Sequence, residues 1–290
     1  MSAGPQPQAD YLPLWIGGAI RGRVRRDIAV PLRAMPEIAE ADIGLRLVAP
    51  EGVRGKAARS AALQSVARQL HTLGLIADWR NEPSALLDEQ GTEVARCERG
   101  AFRTLGMQNR AVHVNGWRPD GSLWVARRSA LKRADPGKLD NMAAGGVGAG
   151  ETLRACALRE AWEEAGVPRR LARALDFPGM VIRSLRETRF GVHDELVIVA
   201  DLALPEDFEP VGRDGEVESF HCMGIAEVEW RSPPASSRSR PRSPPASPSR
   251  GAAEVAPRRQ PRASRASAVS ASPVTRCGIQ AFMARAPSER

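Results

Sequence analysis

The stretch that decides the fold is Gly145–Val167, GGVGAGETLRACALREAWEEAGV. It fits the pattern Gly-x5-Glu-x7-Arg-Glu-u-x-Glu-Glu-x-Gly-u, with u apolar, at every position. The fixed points are Gly145, Glu151, Arg159, Glu160, Glu163, Glu164 and Gly166, and Ala161 and Val167 fill the apolar slots. Leu153 to Ala165 has no Gly, Pro or β-branched residue and is rich in Ala, Leu, Glu and Arg, which predicts a helix. Gly166 suits a left-handed cap and Pro168 blocks continuation. Ala157, Ala161 and Ala165 recur every four residues as a packing stripe, which Leu158 and Trp162 widen.

Glu160, Glu163 and Glu164 share a face by their i, i+3 and i+4 spacing, and that face is expected largely opposite the alanine stripe. Three carboxylates so close repel one another unless a cation sits among them. Hard oxygen ligands of this kind suit Mg2+ or Mn2+, completed by waters and substrate phosphates. Arg159, four residues before Glu163, is placed to brace that carboxylate. Gly145, Gly146, Gly148 and Gly150 form a loop that can bring backbone close to a ligand. A Glu-x-x-Glu-Glu run alone is more often a solvated helix face. The glycines, Glu151 and Arg159 lift it above that reading.

These residues resemble the signature of the Nudix (MutT-like) hydrolase family. The resemblance implies an α/β fold, an α/β/α sandwich on a mixed sheet, and hydrolysis of an organic diphosphate. It implies Glu160, Glu163 and Glu164 as metal ligands, Gly145 in the metal-site loop, and Glu151 and Arg159 orienting the cluster. A further acid outside the helix often serves as extra ligand or water-activating base in the superfamily. Glu216 and Glu218 are the first candidates, with Glu187 and Glu195 behind them.

Working outward, Val112–Trp117, Leu123–Ser129 and Asp135–Asn141 are similar to one branch. It comprises the Nudix half of fungal thiamine pyrophosphokinases and two-part bacterial and plant Nudix proteins. Within that branch the implied substrate is thiamine diphosphate or an analogue, cut to the monophosphate. Arg127, Arg128, Lys132 and Lys138 lie between a hairpin and the glycine loop as phosphate-contact candidates. Asp140 and Asn141 are placed to touch a substrate ring or hold the loop. His113 and His221 read as core or surface histidines. A nucleotide sugar or dinucleotide substrate stays open, because the helix handles only the diphosphate. Isopentenyl-diphosphate isomerase chemistry wants a cysteine near the glycine loop, and residues 140–150 contain neither Cys nor His.

The expected organisation is an α+β accessory domain over 1–110, a Nudix domain over 111–230 and a disordered tail over 231–290. Ser60 is read as the cap of a helix running to about Leu73 with Gly74 as stop. Ala111–Trp117 and Ser122–Arg128 flank a turn, and Met180–Arg189 and Leu196–Leu204 read as strands. The whole chain carries a formal charge of +8, but 12 Arg against Glu254 and Glu289 put +10 on residues 231–290 and leave −2 on the rest. With 12 Ser and 10 Pro the tail cannot bury a core. A basic arm for nucleic acid, in a non-enzymatic binder, is the rival reading, but no aromatics are interleaved. A shifted reading frame would also produce such a tail, because Gly215–Trp230 leads toward a closing helix that the composition then fails to supply. Four widely spaced cysteines read as reduced thiols of a cytoplasmic protein. No apolar run is long enough to span a membrane. The expected partner is a small-molecule diphosphate, with a homodimer as the assembly left open.

Overall fold

A computed structural model describes residues 10–49, 54–76, 79–132 and 135–231. The expectations of tail disorder, of a basic arm and of a shifted frame therefore fall outside the described residues, Arg231 apart. The chain opens with β1 (Tyr11–Ile16) and β2 (Ala19–Arg25), joined by Gly17 and Gly18 at φ 62° and 88°. Positive φ at both central positions is what a two-residue hairpin turn matching strand twist requires. Then follow α1 (Arg26–Leu32), β3 (Ile38–Glu40) and β4 (Leu45–Leu47), completing a four-stranded sheet of order β2-β1-β4-β3. Next come α2 (Gly55–Thr72), the antiparallel pair β5 (Pro83–Leu87) and β6 (Glu93–Glu98), and α3 (Arg99–Thr104).

The second half contains β7 (Gln108–Trp117), β8 (Leu123–Arg128), β9 (Leu139–Asp140), β10 (Ala143–Gly146), α4 (Leu153–Ala165), α5 (Arg169–Ala172), β11 (Leu175–Asp176), β12 (Val181–Thr188), β13 (Gly191–Ala203), β14 (Val217–Met223) and α6 (Ile225–Arg231). Eight of these strands form one sheet with the path β11-β13-β7-β8-β14; β10 joins β7, β12 joins β13 and β9 joins β8. Sheets with helices give the α/β class, and the N-terminal elements form the expected α+β region.

The chain divides into two compact units. One holds the described residues of 1–112 with 145–156 and 181–198; the other holds those of 113–144, 157–180 and 199–231. In the first, Leu14, Ile16, Val66, Leu70, Leu105 and Met107 lie in one apolar core. β12 and β13 pair antiparallel there, from Val181↔Ile198 to Thr188↔Gly191. In the second, Leu123, Val125, Met223 and Val228 form a smaller core, with Trp117, Leu139 and Ile225 against it. No helix among the described residues is long and apolar enough to cross a membrane.

Three expectations change. α2 starts at Gly55, five residues before Ser60, because Lys56-Ala57-Ala58-Arg59 are themselves good helix formers. Ser60 caps nothing: its Oγ donates back to the Lys56 carbonyl at 2.8 Å and accepts from Arg96 N–H at 3.0 Å. β13 begins at Gly191, not Leu196, since the charges in His193-Asp194-Glu195 find partners in the strand. Asp194 is held by Arg183 through bonds of 2.8 and 2.6 Å. The closing helix is not missing after Trp230: α6 begins at Ile225, directly after β14, and buries Val228.

Candidate active site

The helix of the opening motif has clear ends. Thr152 Oγ1 accepts from Ala155 N–H at 3.1 Å, satisfying one of the four unpaired donors of a first turn. At the other end Gly166 takes φ 65°, its N–H reaches Trp162 O at 3.0 Å, and Val167 N–H reaches Ala161 O at 2.9 Å. That is a Schellman closure, which a side-chain-bearing residue disfavours. Ala157, Ala161 and Ala165 are fully buried. Trp162 does not extend the packing stripe as expected: it is 45 % exposed, and the Arg213 guanidinium lies 3.8 Å from its ring centroid.

The acidic face is also less separate from the packing face than the spacing suggests. Glu160 and Glu164 are 7 % and 6 % exposed, beside the alanines, while the Glu163 side chain is 44 % exposed. Arg159 bridges two of them, at 2.6 Å to Glu160 and 3.2 Å to Glu163. Glu164 Oε2 accepts from the backbone N–H of Ala144 at 2.8 Å. Burial, with the negative charges of Glu160 and Asp140, pushes the Glu164 carboxyl up to about 8; the Ala144 bond and Lys132 oppose this. A carboxyl raised this far lacks positive charge around its ionised form.

The fold brings Glu164 to two acids from the segment before β14. One carboxylate oxygen from each of Glu164, Asp214 and Glu216 lies within 4.8 Å of the others. Asp214 also accepts from Glu216 N–H at 2.9 Å. Glu216 is ion-paired with Lys132, and its carbonyl accepts from Ser129 N–H at 2.9 Å. Sequence reasoning did not single out Asp214. The only local signal was its place in Gly-Arg-Asp-Gly, which reads as a turn. Glu218 is an exposed lining residue of a groove, with Trp124, Glu209, Val211 and Phe220. Glu187 and Glu195 lie on β12 and β13, in the other compact unit.

The expected substrate-contact residues form a neighbouring network. Arg128 pairs with Asp140 at 2.6 Å, Lys138 with Asp135 at 2.9 Å, and Arg127 donates to Gly137 O at 3.0 Å. Asn141 turns into the interior at 3 % exposure. Its Oδ1 lies 2.7 Å from His113 Nδ1, and its amide donates to Asn115 at 2.8 Å. Asn115 in turn donates to Asp201 at 2.9 Å, and Trp117 Nε1 reaches the same oxygen at 2.7 Å. Gly145 and Glu151 belong to the other compact unit. There Glu151 closes the glycine loop on itself, accepting from Gly148 N–H at 3.0 Å and donating its own N–H to Gly148 O at 3.1 Å. The fold also packs the fully buried Cys156 sulfur 3.7 and 3.5 Å from the carbonyls of Gly145 and Gly146. A scan of residues 140–150 alone could not find that thiol.

The family model of the NUDIX domain matches residues 107–243. The chain belongs to the Nudix family. It is 30% identical over 236 residues to "Nudix hydrolase 24, chloroplastic" of Arabidopsis thaliana, covering 78% of this chain and 63% of that protein. It is 34% identical over 174 residues to "Nudix hydrolase 20, chloroplastic" of the same plant, covering 59% and 46%. The chain thus spans about half to two thirds of the length of these relatives. Among solved structures, DR0079 from Deinococcus radiodurans aligns with a TM-score of 0.38 at 24% identity, covering 50% of this chain and 84% of that one.

Nudix hydrolases generally use divalent metal ions, and the donor set passes a chemical test for one. All donors are hard carboxylate oxygens. Glu164 is held among like charges that raise its carboxyl, so a cation is the missing counter-charge.

Proposed function

We propose that this Nudix chain hydrolyses an organic diphosphate with a divalent cation, Mg2+ or Mn2+, and that its substrate is thiamine diphosphate or an analogue. The observation that carries the proposal is the convergence of Glu164, Asp214 and Glu216 beside a second buried motif acid, Glu160. In this reading Glu160, Glu163, Glu164 and Asp214 would hold the cation, with Gly145 lending its loop. Arg159 orients Glu160 and Glu163, and Glu151 fixes the glycine loop. When bound, the cation supplies charge neutralisation for the diphosphate oxygens.

The chain's own residues do the rest. Glu216, steered by Lys132, accepts a proton as water attacks one phosphorus. A new P–O bond forms to the water oxygen while the bridging P–O bond breaks, and the bridging oxygen leaves with the departing phosphate. Arg127, Arg128 and Lys138 supply cationic groups for phosphate oxygens, and Asp140 and Asn141 set the geometry of the strand beneath them.

Two observations support a ring-bearing cationic substrate. One is the resemblance of residues 112–141 to the thiamine-linked branch. The other is the groove, which sets Trp124 and Phe220 beside Glu209 and Glu218. Aromatic faces with carboxylates favour a positively charged heterocycle. A cytoplasmic location is part of the proposal, resting on the free thiols Cys97, Cys156 and Cys222.

The test is a panel of thiamine diphosphate, nucleotide sugars and dinucleotides incubated with the full chain and Mg2+, products read by mass. Thiamine monophosphate and phosphate are expected. Turnover only of a nucleotide sugar or dinucleotide would overturn the substrate while keeping the bond class; turnover of no diphosphate would overturn both.

A further inference from the structure

Position 162 is left open by the motif, and a large indole there stands 45 % exposed. Its partner is specific. The Arg213 guanidinium carbon lies 3.8 Å from the ring centroid, close stacking for a cation on an aromatic face. The backbone tells the same story. A helix leaves its last carbonyls without internal donors. Here Ala165 O accepts from Val211 N–H at 3.1 Å and Glu163 O accepts from Arg213 N–H at 3.1 Å. The segment 211–213 is thus laid along the end of α4, two residues per step. A side chain at Gly166 would meet Val211 O at 3.0 Å, so the bare cap is what admits the segment. The next residue is Asp214, and two further on is Glu216, the acids that meet Glu164.

We propose that Trp162 and Arg213 are positioning residues, a cation–π clasp that holds the Asp214–Glu216 segment onto the carboxylate helix and so completes the cation site. Neither touches substrate or cation. The inference rests on the metal reading given under the proposed function, and its test separates the two. The backbone bonds alone fix where the segment passes. The stacked side chain fixes how closely Asp214 and Glu216 are held, because it ties the residue before Asp214 to a ring rooted on the same helix as Glu163 and Glu164.

The experiment titrates Mn2+ into the full-length protein and follows free Mn2+ by electron paramagnetic resonance. The variants are Arg213→Leu, Trp162→Leu, the double variant, Arg213→Lys, and Glu164→Gln as control, with thermal unfolding of each metal-free protein as the folding check. An exposed cation–π contact corresponds to an affinity change of about threefold to tenfold. Each single leucine variant should weaken Mn2+ binding by that amount. The double variant should be no weaker than the worse single, and Arg213→Lys should recover most of the loss. These losses should appear without a matching fall in metal-free unfolding temperature, which a purely structural role would require. Wild-type Mn2+ affinity in both single variants, or losses that multiply in the double, would overturn the clasp. Wild-type affinity in Glu164→Gln would overturn the metal reading and the clasp with it. Loss in Glu164→Gln alone would overturn the clasp and leave the metal reading standing.

Discussion

The backbone N–H of Ala144, at the start of β10, donates to Glu164 Oε2 at 2.8 Å. This bond fixes one oxygen of a carboxylate that is 6 % exposed and leaves the other for the Asp214–Glu216 side. It favours the ionised form, yet burial and the neighbouring acids win, and the carboxyl rises from 4.5 to about 8. The site is built to be electrostatically incomplete without a cation.

A pH dependence follows with a definite sign. The folded metal-free protein keeps a proton on Glu164 between 4.5 and about 8, where the unfolded chain does not. Its contribution to stability is therefore fully present below 4.5 and is lost as pH rises through about 8. Thermal unfolding of metal-free protein should show a falling midpoint over this window, and Glu164→Gln should flatten the fall. Added Mg2+ should raise the wild-type midpoint more at high pH than at low, because cation binding needs the ionised carboxylate.

The buried chain His113–Asn141–Asn115–Asp201 ends on a carboxylate that also accepts from Trp117. Asp201→Ala removes the acceptor from two buried donors at once. A loss of about 2–4 kcal/mol in urea unfolding is expected, from leaving buried polar groups unsatisfied. Asp201→Asn, which keeps an acceptor oxygen, should recover part of it.

Much of the fold was legible because local physics and global packing agree. α4 runs from Leu153 to Ala165, where helix formers lie between Thr152 and Gly166. The turn after Trp117 closes as Arg118-Pro119-Asp120-Gly121 suggests, with Gly121 N–H on Arg118 O and φ 80°. What the sequence hid is three-dimensional. Helical spacing puts Glu160, Glu163 and Glu164 together but does not say what covers them, so the burial of two of the three was invisible. Asp214 lies 50 positions beyond Glu164 in an exposed turn, and only the docking of residues 211–213 onto α4 brings it back. Ser60 failed as a cap because its hydroxyl is taken by Lys56 O and Arg96 N–H inside a helix already under way.

The N-terminal unit offers a stability test remote from the carboxylates. Gly106 sits at φ 59°, and a Cβ there would lie 2.1 Å from the Arg23 carbonyl oxygen. That carbonyl belongs to β2, where Arg23 N–H also binds Leu105 O at 2.9 Å. Gly106→Ala combines left-handed strain with a clash against backbone that cannot rotate away. A cost of about 2–3 kcal/mol is expected in denaturant unfolding, whereas Gly121→Ala, whose Cβ meets nothing within 4 Å, should cost only about 1 kcal/mol.

The central claim is that Glu164 anchors a cation required for diphosphate hydrolysis. The most direct measurement compares wild type and Glu164→Gln on thiamine diphosphate with saturating Mg2+, release of phosphate followed in time and folding checked by circular dichroism. The account predicts a fall in turnover of at least about a hundredfold with the fold intact, the size lost when one electrostatic stabiliser of a transition state is removed. Turnover within about twofold of wild type, at the same spectrum, would contradict it.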